Sequence, residues 1–532
     1  MSRPHSPVWR IASLLIACLC LMPVLVVSTS LLHPDLTVWA HIAEYVLPDL
    51  LVNTASLLLG VSALTLCIGV GLAWLVSVCD FPGRRAFAWM LALPMALPAY
   101  VAAFADVGML DFTGTLQTWL RATFDWQGQL PPVRSRAGVI CVFSLSLYPY
   151  VYLLSRQAFS TQGKRALEAA QSLGYSPWQG FWRIALPAAR PWIAGGLLLV
   201  WMETLADFGT VSVFNFDTFT TAIYKSWFAL FSMQAASQLS ALLVLLVLLL
   251  AGAESWLRRR RKFTGGGKNA ASHYQLHGWR AAAAFSACCL TLLLAFFLPV
   301  AQLLAWALQT RDSVDARYLG FIGHSVLLAG GSALAACAFA LILARTARLY
   351  PGNGTQLMTK LATLGYAIPG SVLAVGIFIP VAWLDTQIAS LSQTGGSSAQ
   401  MFLRGSVLVM MLAFVIRFLA VAYHPVDSAM QRISQNHEDA ARILGLSGLR
   451  LFHRLHWGML KGGLFTAVLM VFVDVMKEMP ITLMLRPFGW DTLSVRIFEM
   501  TSEGMWENAA TPALALIIAG LLPVILLGRQ HQ

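Results

Sequence analysis

Charge is what this sequence has least of. Only 11% of its 532 residues are Asp, Glu, Lys or Arg, while 58% are hydrophobic; a soluble globular chain carries about 25% charged residues. So little polar surface cannot cover the chain in water, which excludes a soluble multidomain enzyme and makes lipid the required solvent. Acidic residues are scarcer still, 24 against 36 basic, for a formal charge of +12. The excess does not describe a nucleic-acid surface, because Lys and Arg sit in short loops between apolar runs. Cysteine is sparse as well. Cys18, Cys20, Cys67, Cys79, Cys141, Cys288, Cys289 and Cys337 lie in or beside apolar runs, where a thiol behaves as a small hydrophobe. No spacing among them describes a disulfide framework or a zinc site. A nucleotide-binding loop is missing too: Gly265-Gly266-Gly267-Lys268-Asn269 is shorter than GxxxxGK[ST] and lacks its hydroxyl residue. The chain is therefore expected to bind no cofactor and to be no enzyme.

What is present is a series of twelve apolar runs, at about 11–31, 51–78, 86–106, 137–156, 191–208, 236–253, 281–308, 324–344, 359–383, 405–423, 462–479 and 511–528. Each approaches the roughly 20 residues a helix needs to cross a bilayer, and helices satisfy their own backbone in lipid. The expected fold class is an all-α, polytopic membrane protein. The first run follows Arg3 and Arg10 without a small-residue cleavage site and reads as a retained span. With the N-terminus inside, the inner segments hold most of the Lys and Arg, including Arg84, Arg85, Arg156, Arg183, Arg258–Arg261, Arg345, Arg348 and Arg450. The positive-inside rule then puts both termini in the cytoplasm. Arg417 lies within a span.

The chain repeats itself. Asn53 matches His324, Pro98 matches Pro369 and Gly174 matches Gly445, each 271 residues on, and Trp9-Arg10 recurs as Trp279-Arg280. The expected division is a first six-span repeat over 1–262, a linker over 263–278 and a second six-span repeat over 279–532. Six is even, so the repeats run parallel, with a pathway expected between them. Arg258–Arg261 and Lys262 read as a stop-transfer flank, and Gly265–Gly267 as flexible linker.

Two constellations stand out. The first is Glu168-Ala169-Ala170 with Gly174, followed by Ile184, Leu186 and Pro187, on the predicted inner side. It returns as Asp439-Ala440-Ala441 with Gly445, then Leu455, Trp457 and Gly458. Helix formers, a glycine able to turn and a proline expected to stop the helix before the next span describe a helix–turn–helix on the membrane face. The second constellation closes the fifth span of each repeat: Glu203 and Asp207, then Asp217-Thr218-Phe219-Thr220; and Asp474 and Glu478, then Asp491-Thr492-Leu493-Ser494. Acidic pairs four apart are expected on one helix face, and at membrane depth they favour a cavity or pathway. They can equally cap helices, pair with Lys477 or Arg486, or hold a gate shut. No metal ligand set is firmly assigned.

The twin loops resemble the EAA loops of ABC-transporter permeases, the cytoplasmic helices that dock into an ATPase subunit. The stretches Met202–Tyr224 and Met476–Glu499, with Lys477-Glu478-Met479-Pro480 and Arg486-Pro487-Phe488, resemble the ferric-iron permeases of bacterial ABC importers. The resemblance covers nearly the whole chain. It implies a type I importer fold in the bacterial inner membrane, two copies of a separate ATPase that uses ATP and Mg, and a periplasmic binding protein that delivers Fe(III). The second loop departs from the pattern at Asp439 and Gly458. Other substrates for the same architecture are thiamine, a polyamine, sulfate or phosphonate. A gradient-driven secondary transporter would also fit twelve spans in two halves, but has no ATPase for the loops to dock. Among the remaining residues, Pro98 and Pro369 suggest kinks in the third spans. His437, His453 and His456 read as a solvated basic loop, and Tyr148 and Tyr150 as interfacial belt residues.

Overall fold

A computed structural model of the chain describes residues 7–32, 36–126, 128–163, 172, 174–259, 274–310, 317–391, 403–446 and 448–530. The expected linker and basic flank fall mostly outside these residues. Long runs of Leu, Ala and Val become helices, because in lipid the backbone has no other hydrogen-bond partners. The only strand pairing among the described residues is a two-residue parallel bridge, Cys79–Asp80 with Tyr274–Gln275.

Ten described helices are long and apolar enough to cross a bilayer: Val8–Thr29, Trp39–Val78, Arg136–Thr161, Trp178–Ala206, Met233–Gly252, Trp279–Gln309, Arg317–Leu349, Gly370–Ser390, Val407–Gln431 and His453–Lys477. The pair Arg84–Ala96 and Ala99–Phe124, bent by 88°, is long and apolar enough only when its two helices are taken together. The twelfth expected run lies inside the helix Trp506–Gln530. All twelve runs thus have a helical counterpart, and the fold is that of a polytopic all-α protein.

The third span differs from the sequence expectation of a kinked but continuous helix. It is broken. A 3-10 turn at Leu93–Ala96 leads to Leu97 and Pro98 in extended conformation, and a new helix starts at Ala99. The second repeat does the same with a 3-10 turn at Leu364–Ala367, extended Ile368, and a helix from Gly370. Proline disfavours helical geometry in the residue before it and has no N–H to donate. The break strands carbonyls, and the fourth span supplies their donors. Tyr148 Oη donates to the Leu91 carbonyl at 3.0 Å, Tyr152 Oη to Ala88 at 3.1 Å, and Arg156 also donates to Ala88. Tyr148 is fully buried, so it is no belt residue. A broken span beside it needs an internal donor more than the headgroups need an aromatic ring.

The chain forms two compact units, neither contiguous in sequence. One comprises Met1–Trp39, Ile223–Val244 and Asp315–Arg496; the other Ala40–Ala222, Leu245–Val314 and Ile497–Gln532. Each draws on both sequence repeats. In the first unit, the opening helix Val8–Thr29 packs on spans of the second repeat. Ser13 Oγ donates to Thr346 Oγ1 at 2.7 Å, and Gly376 has no Cβ to hold off the backbone of Pro23. In the second unit, Trp306 of the Trp279–Gln309 helix stacks on Phe104 at 6.5 Å and covers Gly108. Small residues let helices approach closely in lipid: a Cβ on Gly196 would meet the Val151 Cα at 2.9 Å.

Candidate functional site: twin loops and the far ends of the spans that follow them

Each loop feeds directly into a long span. In the first copy, Glu168, Ala169 and Ala170 lie outside the described residues. Gly174 is described, with φ +76°, a left-handed conformation that only glycine adopts without strain. Helix then resumes at Pro177–Gly180, widens into a π-turn at Phe181–Ala185, and continues as Leu186–Ala206. In the second copy, Gln435–Ile443 is helical and carries Asp439, Ala440 and Ala441. Gly445 has φ +81°. Helix follows at Gly448–Leu451, with a π-turn at Phe452–His456 and then Trp457–Lys477.

Pro187 was expected to stop the helix, and it does not. It stands in the first turn of Leu186–Ala206, inside an unbroken helical run from Trp178. The wide turn just before it leaves room for a ring without an N–H donor. The second copy makes the same π-turn ahead of Trp457 and Gly458, so the turn belongs to the loop design and not to proline. Asp439 and Ala440 are exposed, and Ala441 is buried. At the helix end Ile443 is 86% and Leu444 80% exposed, large apolar side chains on an otherwise polar helix.

Sequence reasoning missed the residue that ties this helix down. Glu438 is buried, and its Oε1 accepts from Arg348 Nε at 2.9 Å and from His456 Nε2 at 2.9 Å, with Arg345 Nη1 at 3.7 Å. Arg348 also donates to the Met430 carbonyl at 2.8 Å. Burial pushes the Glu438 carboxyl up, but the hydrogen bond from His456 and the cations of Arg348, His456 and Arg345 hold it below the usual carboxylate range. His456 is therefore no solvated loop histidine. It is 1% exposed, because the loop folds back to place Glu438 against it. His437 and His453 are exposed.

At the far ends of the fifth and eleventh spans the two copies share one construction. The helix Leu186–Ala206 stops before Asp207, whose φ −70° and ψ 134° turn its carboxylate forward. Asp207 Oδ1 accepts from the Thr210 backbone N–H at 2.8 Å and Oδ2 from Thr210 Oγ1 at 3.0 Å, so it caps the helix Gly209–Val213. The Asp207 carbonyl accepts from Thr220 Oγ1 at 2.6 Å. In the second copy the helix stops before Glu478 at φ −72° and ψ 121°. Glu478 Oε1 accepts from the Ile481 N–H at 3.3 Å, and its carbonyl accepts from Ser494 Oγ at 3.0 Å. The expectation that each acidic pair shares one helix face fails here, since Asp207 and Glu478 lie past their helix ends. Glu203 and Asp474 sit in the last helical turns, each half-buried.

Glu478 has a partner that Asp207 lacks. Arg417 Nε lies 3.4 Å from Glu478 Oε2, with side chains 11% and 7% exposed. Ser146 occupies the matching place in the first repeat. Gly370 packs on this ion pair with no room for a Cβ. The matched Asn53 and His324 also share a task. Asn53 Nδ2 donates to the Asp217 carbonyl at 3.1 Å, and His324 Nδ1 pairs with the Asp491 carbonyl at 3.2 Å while its ring stacks on Trp490. Among the described residues of either unit, no three His, Cys, Asp or Glu side chains come together as metal ligands.

The family described as "Binding-protein-dependent transport system inner membrane component" matches the chain twice, over residues 65–262 and 336–531. The two matches begin 271 residues apart, the spacing of the twin glycines. The Fe(3+)-transport system permease protein FbpB 2 of Haemophilus influenzae is 27% identical over 487 residues, which is 90% of this chain and 89% of that protein. The sulfate transport system permease protein CysW of Escherichia coli is 32% identical over 148 residues, 28% of this chain and 49% of its own length. The molybdenum transport system permease protein ModB of Escherichia coli is 29% identical over 154 residues, 28% of this chain and 64% of its own. The chain thus spans half to two thirds of these shorter relatives. With the family's unit present twice across most of its length, this chain belongs to the inner membrane components of binding-protein-dependent transport systems.

Proposed function

We propose that this chain is the whole membrane core of an ATP-driven ABC importer and that its substrate is Fe(III). The observation that carries the substrate is the similarity to an iron permease along 90% of this chain, against 28% for the sulfate and molybdenum permeases cited above. The chain itself binds no cofactor. Two copies of a partner ATPase use ATP and Mg, one beneath each loop, and a periplasmic binding protein delivers the substrate. Both termini lie on the cytoplasmic side, a reading that the distribution of Lys and Arg supports.

The docking surfaces are Glu168, Ala169, Ala170, Gly174 and Pro187 in the first copy, and Asp439, Ala440, Ala441 and Gly445 in the second. Exposed Ile443 and Leu444 support this reading, since an apolar tip on a polar helix fits a cleft in another protein. ATP binding draws the ATPases together, the loops follow, and the spans continuous with them swing. Asp207 and Glu478 act as gate residues, because each joins the end of such a span to the segment that follows. Glu203 and Asp474, one turn earlier, offer the carboxylate oxygens that a hard cation prefers.

The test is ATP-dependent uptake of radiolabelled Fe(III) into proteoliposomes holding this chain, its ATPase and its binding protein, with sulfate and thiamine as controls. Uptake of iron that needs all three components supports the proposal. Uptake of sulfate or thiamine instead overturns the substrate, and uptake without the ATPase overturns the mechanism in favour of a gradient-driven carrier.

A further inference from the structure

The two loops are fastened to the membrane spans by different chemistry. Around the first, Trp74 of the second span packs edge-on against Phe159 at 5.2 Å and Phe181 at 4.7 Å. Phe159 precedes the loop and Phe181 follows it, so apolar contact holds both of its ends. The second copy replaces this arrangement at matching positions. Arg345 stands for Trp74, Arg348 for Ser77, Glu438 for Leu167 and His456 for Ala185, each 271 residues on. Arg345 and Arg348 come from the eighth span, His456 from the π-turn that opens the eleventh, and Glu438 from the loop helix itself. They meet on one carboxylate oxygen.

We propose that Glu438 is the positioning residue of the second docking loop, clamping it through Arg345, Arg348 and His456 to the two spans it must move. This rests on the reading that the loop docks an ATPase. Removing one partner from a buried charge cluster leaves the others uncompensated, so such a clamp is rigid but intolerant of partial loss. Asp439, one residue on, is exposed. The charged clamp holds through polar geometry, whereas the aromatic one holds through packing; because Glu438 and His456 are buried, salt screens the charged one little.

The test uses the complete complex in proteoliposomes with Fe(III)-loaded binding protein, and reads iron transported per ATP hydrolysed. Glu438→Gln keeps shape but loses charge. It lowers the transport ratio about tenfold, as loss of a buried charge partner implies, while basal ATPase activity persists. The four-fold variant R345W/R348S/E438L/H456A gives the second copy the side chains of the first at these four positions. It restores the ratio, which a merely destabilised loop would not do. Backbone hydrogen exchange over residues 435–446 provides a second readout that needs neither substrate nor partner: it rises about tenfold in Glu438→Gln. A normal transport ratio together with unchanged exchange in Glu438→Gln overturns the clamp. Gly445→Trp separates the two ideas. If it uncouples transport while Glu438→Gln does not, docking stands and the clamp fails; if neither has an effect, both fail.

Discussion

Single charges decide most of what is specific to this chain. The Arg417–Glu478 pair is the clearest case, being buried in a span and absent from the first repeat. Breaking a buried pair on one side costs about 3–5 kcal/mol, while replacing both partners with apolar groups is often neutral. Arg417→Met should therefore lower the unfolding temperature of the detergent-solubilised protein sharply, and Arg417→Met with Glu478→Met should recover most of the loss. Additive losses would show that the two side chains do not depend on each other. Glu438 carries a pH prediction. Its folded carboxyl sits below the ordinary value, so its stabilisation is complete above about pH 4.5 and disappears as pH falls through the lower folded value. Protection of residues 435–446 against exchange should show an acid loss, beginning only as pH falls below the ordinary carboxylate value, that Glu438→Gln lacks. Legibility in the sequence was uneven at this scale. Gly174 and Gly445 were readable, because a repeated glycine in a loop has few other uses. Glu438 and His456 were not, because each alone looks like a solvated loop residue. Comparing the copies position by position would have found them: Trp74, Leu167 and Ala185 turn charged or basic together at Arg345, Glu438 and His456.

At the scale of elements, the spans were legible and their interruptions were not. Apolar length reports a crossing, yet it cannot distinguish a kink from a break, which depends on whether neighbours satisfy the stranded carbonyls. Tyr148, Tyr152 and Arg156 do so here. Tyr148→Phe leaves the Leu91 carbonyl without its donor, and should cost about 1–3 kcal/mol, measured as a shift in thermal unfolding. Unchanged stability would mean that the broken span needs no such donor. The meeting of the fourth and fifth spans depends on Gly196 in the same way. A Cβ there collides with backbone and not with a movable side chain, so Gly196→Val should force the helices apart and cost about 1–3 kcal/mol. Wild-type stability in that variant would contradict the contact. Both π-turns recur at matching places, and they gave no signal in the sequence because hydrophobic periodicity barely changes over a single widened turn.

For the whole molecule, the repeat at 271 residues foretold the doubled architecture, and the two family matches begin at that same interval. The interleaving of the repeats in the compact units was not foretold, because a first span reads the same whichever bundle it joins. One chain carrying both halves has a consequence in stoichiometry. A half-length permease must pair with another to present two loops, whereas this chain already holds two, each turned by its own left-handed glycine. The most direct measurement is therefore the native mass of the solubilised complex with its ATPase partner. Two ATPase subunits are expected for each copy of this chain. A complex with one ATPase per chain, or with two copies of this chain, would contradict it.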